Sequence, residues 1–223
     1  MFNDHPRPSI LAAGLLAFGV MTGPAALAST DNGVQLLRDN CSNCHTEGPA
    51  GKFTRISELR KTPEGWHMTI NRMQTHNDLR LTASAKAQII QYLADTQGLA
   101  PAEAEPWRYL LEQDTNRTEA TPEEFAEMCA RCHSSARFSL QRRTVDEWRE
   151  LVHTHIGHTP TLELHAMSRD RPWLDIALNE TAVKLGETYA FESKEWRDWQ
   201  KATKPELAGN WRLLGTIPGK GDF

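Results

Sequence analysis

Two cysteine–histidine strings are the residues of this sequence best suited to chemistry. They read Cys41-Ser-Asn-Cys44-His45 and Cys129-Ala-Arg-Cys132-His133. In a C-x-x-C-H string both thiols can form thioether bonds to a haem, and the adjacent histidine can bind the iron. With four cysteines and nine histidines in 223 residues, roughly 0.003 such strings are expected by chance. The sequence therefore predicts two covalently bound haems c, with His45 and His133 as iron ligands.

Two other uses of paired cysteines fit the strings less well. A four-cysteine zinc site gives no reason for a histidine directly after each C-x-x-C pair. A thiol–disulfide redox pair is usually embedded in a β-α-β pattern, which this sequence lacks. Haem attachment is the interpretation that gives a role to both cysteines and the histidine of each string.

The N-terminus has the pattern of a cleaved export signal. Arg7 precedes an apolar run at residues 10–20, and Ala26-Leu-Ala28 offers a small-residue cleavage site before Ser29. The run is too short for a membrane span, although an uncleaved anchor is the alternative. We therefore expect residues 1–28 to be removed from an exported chain.

The composition excludes two further classes of protein. A content of 39% hydrophobic and 24% charged residues argues against intrinsic disorder. A net charge of −4 argues against nucleic-acid binding, which needs a basic surface. The length suits one or two small domains.

The chain contains a duplicated unit. A helical segment precedes each string, at residues 31–40 and 121–128. After each string, the phrase RKTPEGW at 60–66 aligns without a gap with RRTVDEW at 142–148. The threonine of each phrase is expected to cap a new helix, and a Thr-x-x-Glu capping box is predicted in the second phrase. The basic pair that opens each phrase is expected to be surface charge, with contact to haem propionates as the alternative.

The remaining segments also favour helices. The predicted helices cover residues 83–97, 172–189 and 194–201, and the proline-rich stretch 101–106 is expected to be a linker. No alternating strand is apparent in the body of the chain. We predict an all-α fold of two tandem cytochrome c-like haem lobes, at residues 29–104 and 105–204, with a short strand-like stub at 205–223.

The repeat also predicts the sixth ligand of each iron. Residues at i, i+4 and i+7 share a helical face. From the equivalent tryptophans the two faces read Trp66, Ile70 and Met73, and Trp148, Val152 and His155. Met73 and His155 are thus equivalent, and both residue types bind haem iron. His76, His153 and His158 remain alternatives.

The sequence resembles the dihaem N-terminal domain of the α subunit of quinohaemoprotein amine dehydrogenase. The resemblance covers essentially all of the chain after the export signal and rests on long phrases around each haem string. They are CSNCH, RKTPEGWHMTINRM, LTASAKAQIIQYLADTQGLAP, CARCHSSARFSLQRRTVDEWRELVHTHIG and NWRLLGTIPGKGDF.

The resemblance implies a role in a periplasmic complex that oxidises primary amines. Its tryptophylquinone lies on a separate small subunit, and a β-propeller subunit completes the complex. The dihaem domain would carry electrons from the quinone to a blue copper protein or another cytochrome c. No catalytic constellation is apparent, so substrate chemistry is not expected in this chain alone. A dihaem peroxidase and a free-standing dihaem carrier are the alternatives.

The C-terminal segment departs from the resembling family. The family α subunit continues from its haem domain into several β-domains. Here residues 210–217 are expected to form a strand and 218–222 its turn, and Phe223 would open a partner strand that does not follow. We therefore interpret residues 205–223 as the stub of a missing β-domain.

Overall fold

A computed structural model describes residues 30–114, 116–205, 210, 212, 215–217 and 219–222. The predicted export signal at residues 1–28 lies outside the described residues. So do four apolar residues of the predicted C-terminal strand and its continuation, Trp211, Leu213, Leu214 and Phe223.

The described chain is mainly helical, which confirms the predicted fold class. The first lobe contains α1 (Thr30–Cys41), a 3-10 turn (Pro49–Gly51), β1 (Leu59–Lys61), α2 (Pro63–His76) and α3 (Ala83–Gln97). A connecting stretch contains α4 (Pro101–Ala104), a 3-10 turn (Glu105–Trp107) and α5 (Arg108–Leu111). The second lobe contains α6 (Glu123–Cys129), α7 (Ala136–Ser139), β2 (Gln141–Arg143), α8 (Val145–His158), a π-helical turn (Leu162–Met167), α9 (Trp173–Ile176), a second π-helical turn (Ala177–Thr181) and α10 (Ala182–Thr188). The chain continues through α11 (Lys194–Lys201) to β3 (Thr216–Ile217) and β4 (Gly221–Asp222).

Helices α2 and α8 begin at the threonines that the repeat predicts. The Thr62 hydroxyl accepts a hydrogen bond from Gly65 N at 3.2 Å, and the Thr144 hydroxyl accepts one from Glu147 N at 3.3 Å. Each bond satisfies one of the N–H groups that a helix leaves unpaired at its start. The two helices therefore start at equivalent positions, and each is 14 residues long.

The first lobe is built around one cluster of buried apolar side chains. Its members are Leu37, Phe53, Ile56, Leu59, Trp66, Ile70, Ile89 and Leu93. Cys41 packs against this cluster, so the first haem string begins at the edge of the core. Helix α1 approaches α3 closely at Gly33, where an added Cβ would overlap the Tyr92 ring.

The second lobe has two adjoining apolar clusters. One contains Phe125, Phe138, Trp148, Ala182, Leu185 and Tyr189, and the other contains Met128, Met167, Trp173 and Ala177. Cys129 packs against both clusters. The second haem string therefore also begins at the edge of a core, as the duplicated unit requires.

A two-stranded antiparallel ribbon joins the lobes. The strands β1 and β2 pair in the register Leu59↔Arg143, Arg60↔Arg142 and Lys61↔Gln141. Because Arg60 and Arg142 are also equivalent in the repeat, the ribbon has approximate two-fold symmetry. The sequence did not predict these strands, since three residues are too few to show an alternating pattern.

One face of the ribbon holds a buried ionic triad. Arg60 donates to both carboxylate oxygens of Glu103, at 2.8 and 2.9 Å, and Arg142 Nε lies 3.2 Å from Glu103 Oε1. The exposed fractions are 2% for Arg60 and 7% for Glu103 and Arg142. The prediction that the two basic pairs are surface charge is therefore wrong. Residues 101–106 are likewise not a simple linker, because they fold and carry the carboxylate that compensates the buried arginines.

The other helical predictions differ from the structure at few points. The bounds of α3 and α11 agree with the prediction. The predicted helix at 172–189 is divided by the π-helical turn at Ala177–Thr181. Helix α6 begins at Glu123, with Pro122 in the cap position. The predicted cap, Thr121, would have started the helix one residue earlier. Among the described residues, no helix is long and apolar enough to cross a membrane.

The C-terminal segment forms a short hairpin instead of a single strand. Thr216 pairs with Asp222 and Ile217 pairs with Gly221. The expectation that the strand lacks a partner is therefore wrong, because β4 returns after a turn at Gly219 and Lys220 and pairs with β3.

Candidate haem sites

The first string turns directly out of α1. The backbone N–H groups of Cys44 and His45 donate to Cys41 O at 3.2 and 2.9 Å. His45 Nδ1 lies 2.8 Å from Thr54 O. Because a carbonyl oxygen can only accept, this contact places the proton on Nδ1 and leaves Nε2 free to bind a metal.

The second string follows α6 and has a similar histidine contact. His133 Nδ1 lies 2.9 Å from the carbonyl oxygen of the next residue, Ser134. The same tautomer argument leaves His133 Nε2 as the ligating nitrogen.

His133 and His155 lie together in the second lobe. Their ring centroids are 6.4 Å apart, with an angle of 37° between the ring planes. His155 Nδ1 lies 2.8 Å from Leu151 O, one turn earlier in α8. Both rings therefore keep Nε2 available, and they come from different elements of the lobe.

The separation of these rings suits a shared iron. A metal–imidazole bond is about 2.0–2.1 Å long, and an imidazole centroid lies roughly 1.1 Å from its ring atoms, so two imidazoles on opposite sides of one metal have centroids about 6.3 Å apart. The distance between His133 and His155 agrees with this value.

The surroundings of His155 favour its neutral form. Desolvation lowers the pKa of His155, the charges of Arg137 and Arg143 lower it further, and the bond to Leu151 O opposes the shift. A neutral imidazole is the form that binds a metal.

The cysteines of each string differ in their surroundings. Cys41 and Cys129 are partly buried, and desolvation raises the pKa of Cys41 to about 11 and that of Cys129 to about 12. Cys44 and Cys132 are exposed. None of the four forms a disulfide. The described residues contain no group of three or more His, Cys, Asp or Glu side chains that could hold a metal ion, so the two C-x-x-C pairs do not converge on one zinc site.

Met73 lies half-buried near the end of α2. Its Sδ accepts a hydrogen bond from Asn77 Nδ2 at 3.6 Å. No hydrogen bond or ring contact within the described chain joins Met73 to His45. The alternative ligands His76 and His158 are exposed and face each other, with ring centroids 5.6 Å apart.

The remaining alternative, His153, is exposed on α8. It lies two residues before His155 and has no ring contact with His133 in the described chain. The structure therefore brings one predicted sixth ligand, His155, beside its predicted proximal histidine.

The second face of the ribbon carries buried cations that the sequence analysis did not place. Lys61 and Arg143 are equivalent in the repeat and lie over the Trp66 and Trp148 rings respectively, at 5.4 and 5.6 Å from the centroids. Arg143 pairs with Glu147 at 3.3 Å. The predicted capping box is not formed, because the Thr144 N–H donates to Glu58 O at 3.1 Å and not to the Glu147 carboxylate.

One buried donor in this region has no hydrogen-bond partner among the residues that the structure describes. Trp66 Nε1 donates to Gln97 O at 3.0 Å, but its equivalent Trp148 Nε1 is buried and unpartnered. An orphaned N–H beside buried cations is a suitable place for a carboxylate such as a haem propionate.

The comparison with known families decides the type of domain. Residues 31–196 match the family described as quinohemoprotein amine dehydrogenase A, alpha subunit, haem binding. The chain belongs to this family. The family match supports a haem-based electron-transfer role. It includes both C-x-x-C-H strings, the ribbon and the His133–His155 pair. Among curated proteins, no sequence matches the chain.

Sequence reasoning missed one residue near the second site. Glu119 contacts the loop that follows His133. It stands in a stretch without any motif, and only its contacts after folding distinguish it from other surface carboxylates.

Proposed function

We propose that the chain is a periplasmic dihaem cytochrome c that passes electrons from the tryptophylquinone of an amine dehydrogenase complex to a soluble acceptor. The acceptor would be a blue copper protein or another cytochrome c. The observation that carries the proposal is the His133–His155 ring pair, 6.4 Å apart, beside a C-x-x-C-H string in a chain of the haem-binding family.

In this proposal each lobe holds one haem through its own residues. The thioether-forming cysteines are Cys41, Cys44, Cys129 and Cys132. The iron ligands are His45 with Met73 in the first lobe, and His133 with His155 in the second. Each haem, when bound, supplies a one-electron iron couple. The carbonyl contacts of the three histidines fix the ligating Nε2 atoms.

The buried polar groups of the second lobe suit a propionate carboxylate. Trp148 Nε1 lacks a partner in the described chain, and Arg143 shares the carboxylate of Glu147 with Arg55. Lys61, on the same face of the ribbon, donates to the Thr69 hydroxyl and forms no ion pair among the described residues. Bound carboxylates would satisfy the donor and compensate the buried charges. This is the contact that the sequence analysis left as an alternative for the basic pairs.

The proposed ligands also give a direction to electron transfer. Methionine as a ligand raises the potential of a histidine-bound haem. The second lobe would therefore receive electrons from the quinone, and the first lobe would pass them outward. We propose the lobe bounds 29–104 and 105–204, a signal peptide at 1–28, and residues 205–223 as a β-domain stub.

Mass spectrometry of the purified protein tests the haem assignment. We expect a mature chain heavier by two haems, with both haems retained after acid–acetone extraction. Extractable haem, or bound zinc without haem, would contradict the proposal.

The near-infrared absorption of the oxidised protein tests Met73. We expect a weak band of a methionine-ligated haem that is lost in Met73→Ala. Met68→Ala is the matched control, because Met68 is 49% exposed on the same helix and off the predicted face. A band that survives in Met73→Ala would assign the sixth ligand elsewhere.

Copurification tests the partners. We expect the chain to copurify with a quinone-bearing small subunit and a β-propeller subunit. A chain that isolates alone with both haems would be a free-standing carrier, and rapid peroxide turnover would indicate a dihaem peroxidase.

A further inference from the structure

The loop after His133 is organised by one carboxylate. Glu119 Oε2 accepts hydrogen bonds from Ser135 N at 2.8 Å and from Ser135 Oγ at 3.0 Å. Its Oε1 accepts from the Ser134 hydroxyl and from Tyr109 Oη, the latter at 2.8 Å. Glu119 thus satisfies donors from two consecutive residues directly after the second haem string.

The Ser134–Ser135 peptide group links this carboxylate to the proposed iron ligand. Its N–H, on Ser135, donates to Glu119, and its C=O, on Ser134, accepts from His133 Nδ1 at 2.9 Å. Hydrogen bonds in such a chain polarise one another. A negative charge at the N–H end increases the electron density on the carbonyl oxygen, which strengthens the bond to His133.

The carboxylate is ionised at neutral pH. Desolvation alone would raise the pKa of Glu119, but the hydrogen bonds from Ser134, Ser135 and Tyr109 outweigh it and lower the pKa to about 2. No lysine or arginine among the described residues forms an ion pair with Glu119. Within the described chain its charge is stabilised mainly by these hydrogen bonds, and the peptide group of one of them leads to His133.

The first lobe has no counterpart of this arrangement. His45 Nδ1 bonds to Thr54 O, and the N–H of the same peptide group belongs to Arg55. Within the described chain, no carboxylate accepts from Arg55 N, and the Arg55 guanidinium pairs with Glu147 and Glu150, each at 2.9 Å. The two proximal histidines therefore differ in the peptide group to which they donate. The N–H of that peptide donates to a carboxylate in the second lobe and not in the first.

We propose that Glu119 is a positioning residue for the second haem, which holds His133 through the Ser134–Ser135 peptide and lowers the reduction potential of that haem relative to the first. A stronger bond at Nδ1–H makes the imidazole a more basic ligand, which stabilises the oxidised iron. The inference rests on the proposed assignment of His133 as proximal ligand. The effect of Glu119 would make the reduction potentials of the two haems differ even if their sixth ligands were the same.

Redox titration of the two-haem protein, followed by optical spectroscopy, tests this proposal. We expect Glu119→Gln to raise the midpoint potential of the second haem and to leave that of the first unchanged. Tyr109→Phe is the matched control. It removes a hydrogen bond to the same carboxylate but keeps the charge and the bond from Ser135 N, so a clearly smaller shift is expected. An unchanged second potential, or equal shifts in both haems, would overturn the proposal.

Two further measurements keep the test decisive. If Glu119→Gln does not retain the second haem, Glu119→Asp keeps the charge on a shorter side chain that weakens the bond from Ser135 N. It is expected to give a smaller rise, and an unchanged potential would overturn the inference. A wild-type chain with one haem by mass would overturn the dihaem function itself. A protein that carries two haems, but whose second midpoint potential does not change in the Glu119 variants, would overturn only the role of Glu119.

Discussion

Lys61 and Arg143 hold equivalent places in the two lobes, but only Arg143 has a carboxylate beside it. Gly65 stands in the first lobe where the second has Glu147. Among the described residues, the Lys61 ammonium therefore bonds only to the Thr69 hydroxyl, at 2.6 Å. Lys61 is 5% exposed. Burial, followed by the charges of Arg143 and Arg72, holds the pKa of Lys61 well below its usual value. A buried amine without a counter-charge is a favourable partner for an anion.

Removing the His155 ring tests the proposed second site directly. We expect His155→Ala to convert the second haem from a low-spin to an open-coordinate spectrum, because the proposed sixth ligand is lost. Optical and electron paramagnetic resonance spectra measure the change, and the first haem should be unaffected. His153→Ala removes an exposed histidine from the same helix and should leave both haems unaltered. A low-spin second haem in His155→Ala would show that another group binds the iron.

The site residues differ in how far the sequence alone could identify them. Each C-x-x-C-H string is local, so its chemistry is visible in five consecutive residues. His155 was found through the repeat, because helical spacing from an equivalent tryptophan is also a local property. Glu119 acts through a peptide group 15 residues away. No spacing rule indicates such a contact before the chain is folded.

At the scale of single elements, α8 supplies the proposed sixth ligand of the second site. It is capped by Thr144, presents Trp148 to the core, and brings His155 to His133. Its start therefore determines where the histidine lies.

The cap of α8 gives a measurable contribution to stability. We expect Thr144→Ala to lower the free energy of unfolding by about 1 kcal/mol, because the first turn loses its side-chain acceptor. Denaturant titration of the haem-loaded protein measures the difference. Thr154→Ala is the control on the same helix. There the hydroxyl only bonds back to Glu150 O, and alanine is the better helix former, so no loss is expected. Equal losses in both variants would mean that the cap contributes nothing particular.

A helix could be predicted from the sequence where both its start and its end are marked by capping residues. Helix α3 has a threonine at its start and Gly98 directly after its end, and its bounds agree with the prediction. The ribbon strands were missed because each owes its conformation to a partner in the other lobe. In the sequence, the arginines at the strand centres resemble the exposed charged residues that often precede a helix. Only the folded structure shows that Glu103 lies between them.

At the scale of the whole molecule, the Arg60–Glu103–Arg142 triad fixes the junction of the lobes. Burial alone would raise the pKa of Glu103, but hydrogen bonds from Arg60, Ala100 N and Ser193 lower it, so the carboxylate stays ionised. Arg60 also lies over the Trp196 ring, 4.9 Å from its centroid, which ties α11 to the same junction.

Neutralising this carboxylate should destabilise the whole fold. Removing one partner of a buried ionic group costs about 3–5 kcal/mol, because it leaves uncompensated charge. We therefore expect Glu103→Gln to lower the melting temperature by roughly 6–20 °C, at about 2–4 °C per kcal/mol for a chain of this size. Glu112→Gln breaks an exposed pair with Arg108 and should change stability by less than about 1 kcal/mol. Similar melting temperatures for the two variants would contradict the role assigned to the triad.

The ribbon between the lobes also bears on how the chain arose. Its central pair joins residues that are equivalent in the repeat, Arg60 and Arg142. This is the isologous contact of a C2 dimer, in which one patch binds its own copy. A single-haem ancestor with such a strand could already form the dimer, so gene duplication and fusion would preserve the interface and need no new one. Glu103 would then mark the later loss of symmetry, since one carboxylate now serves both arginines.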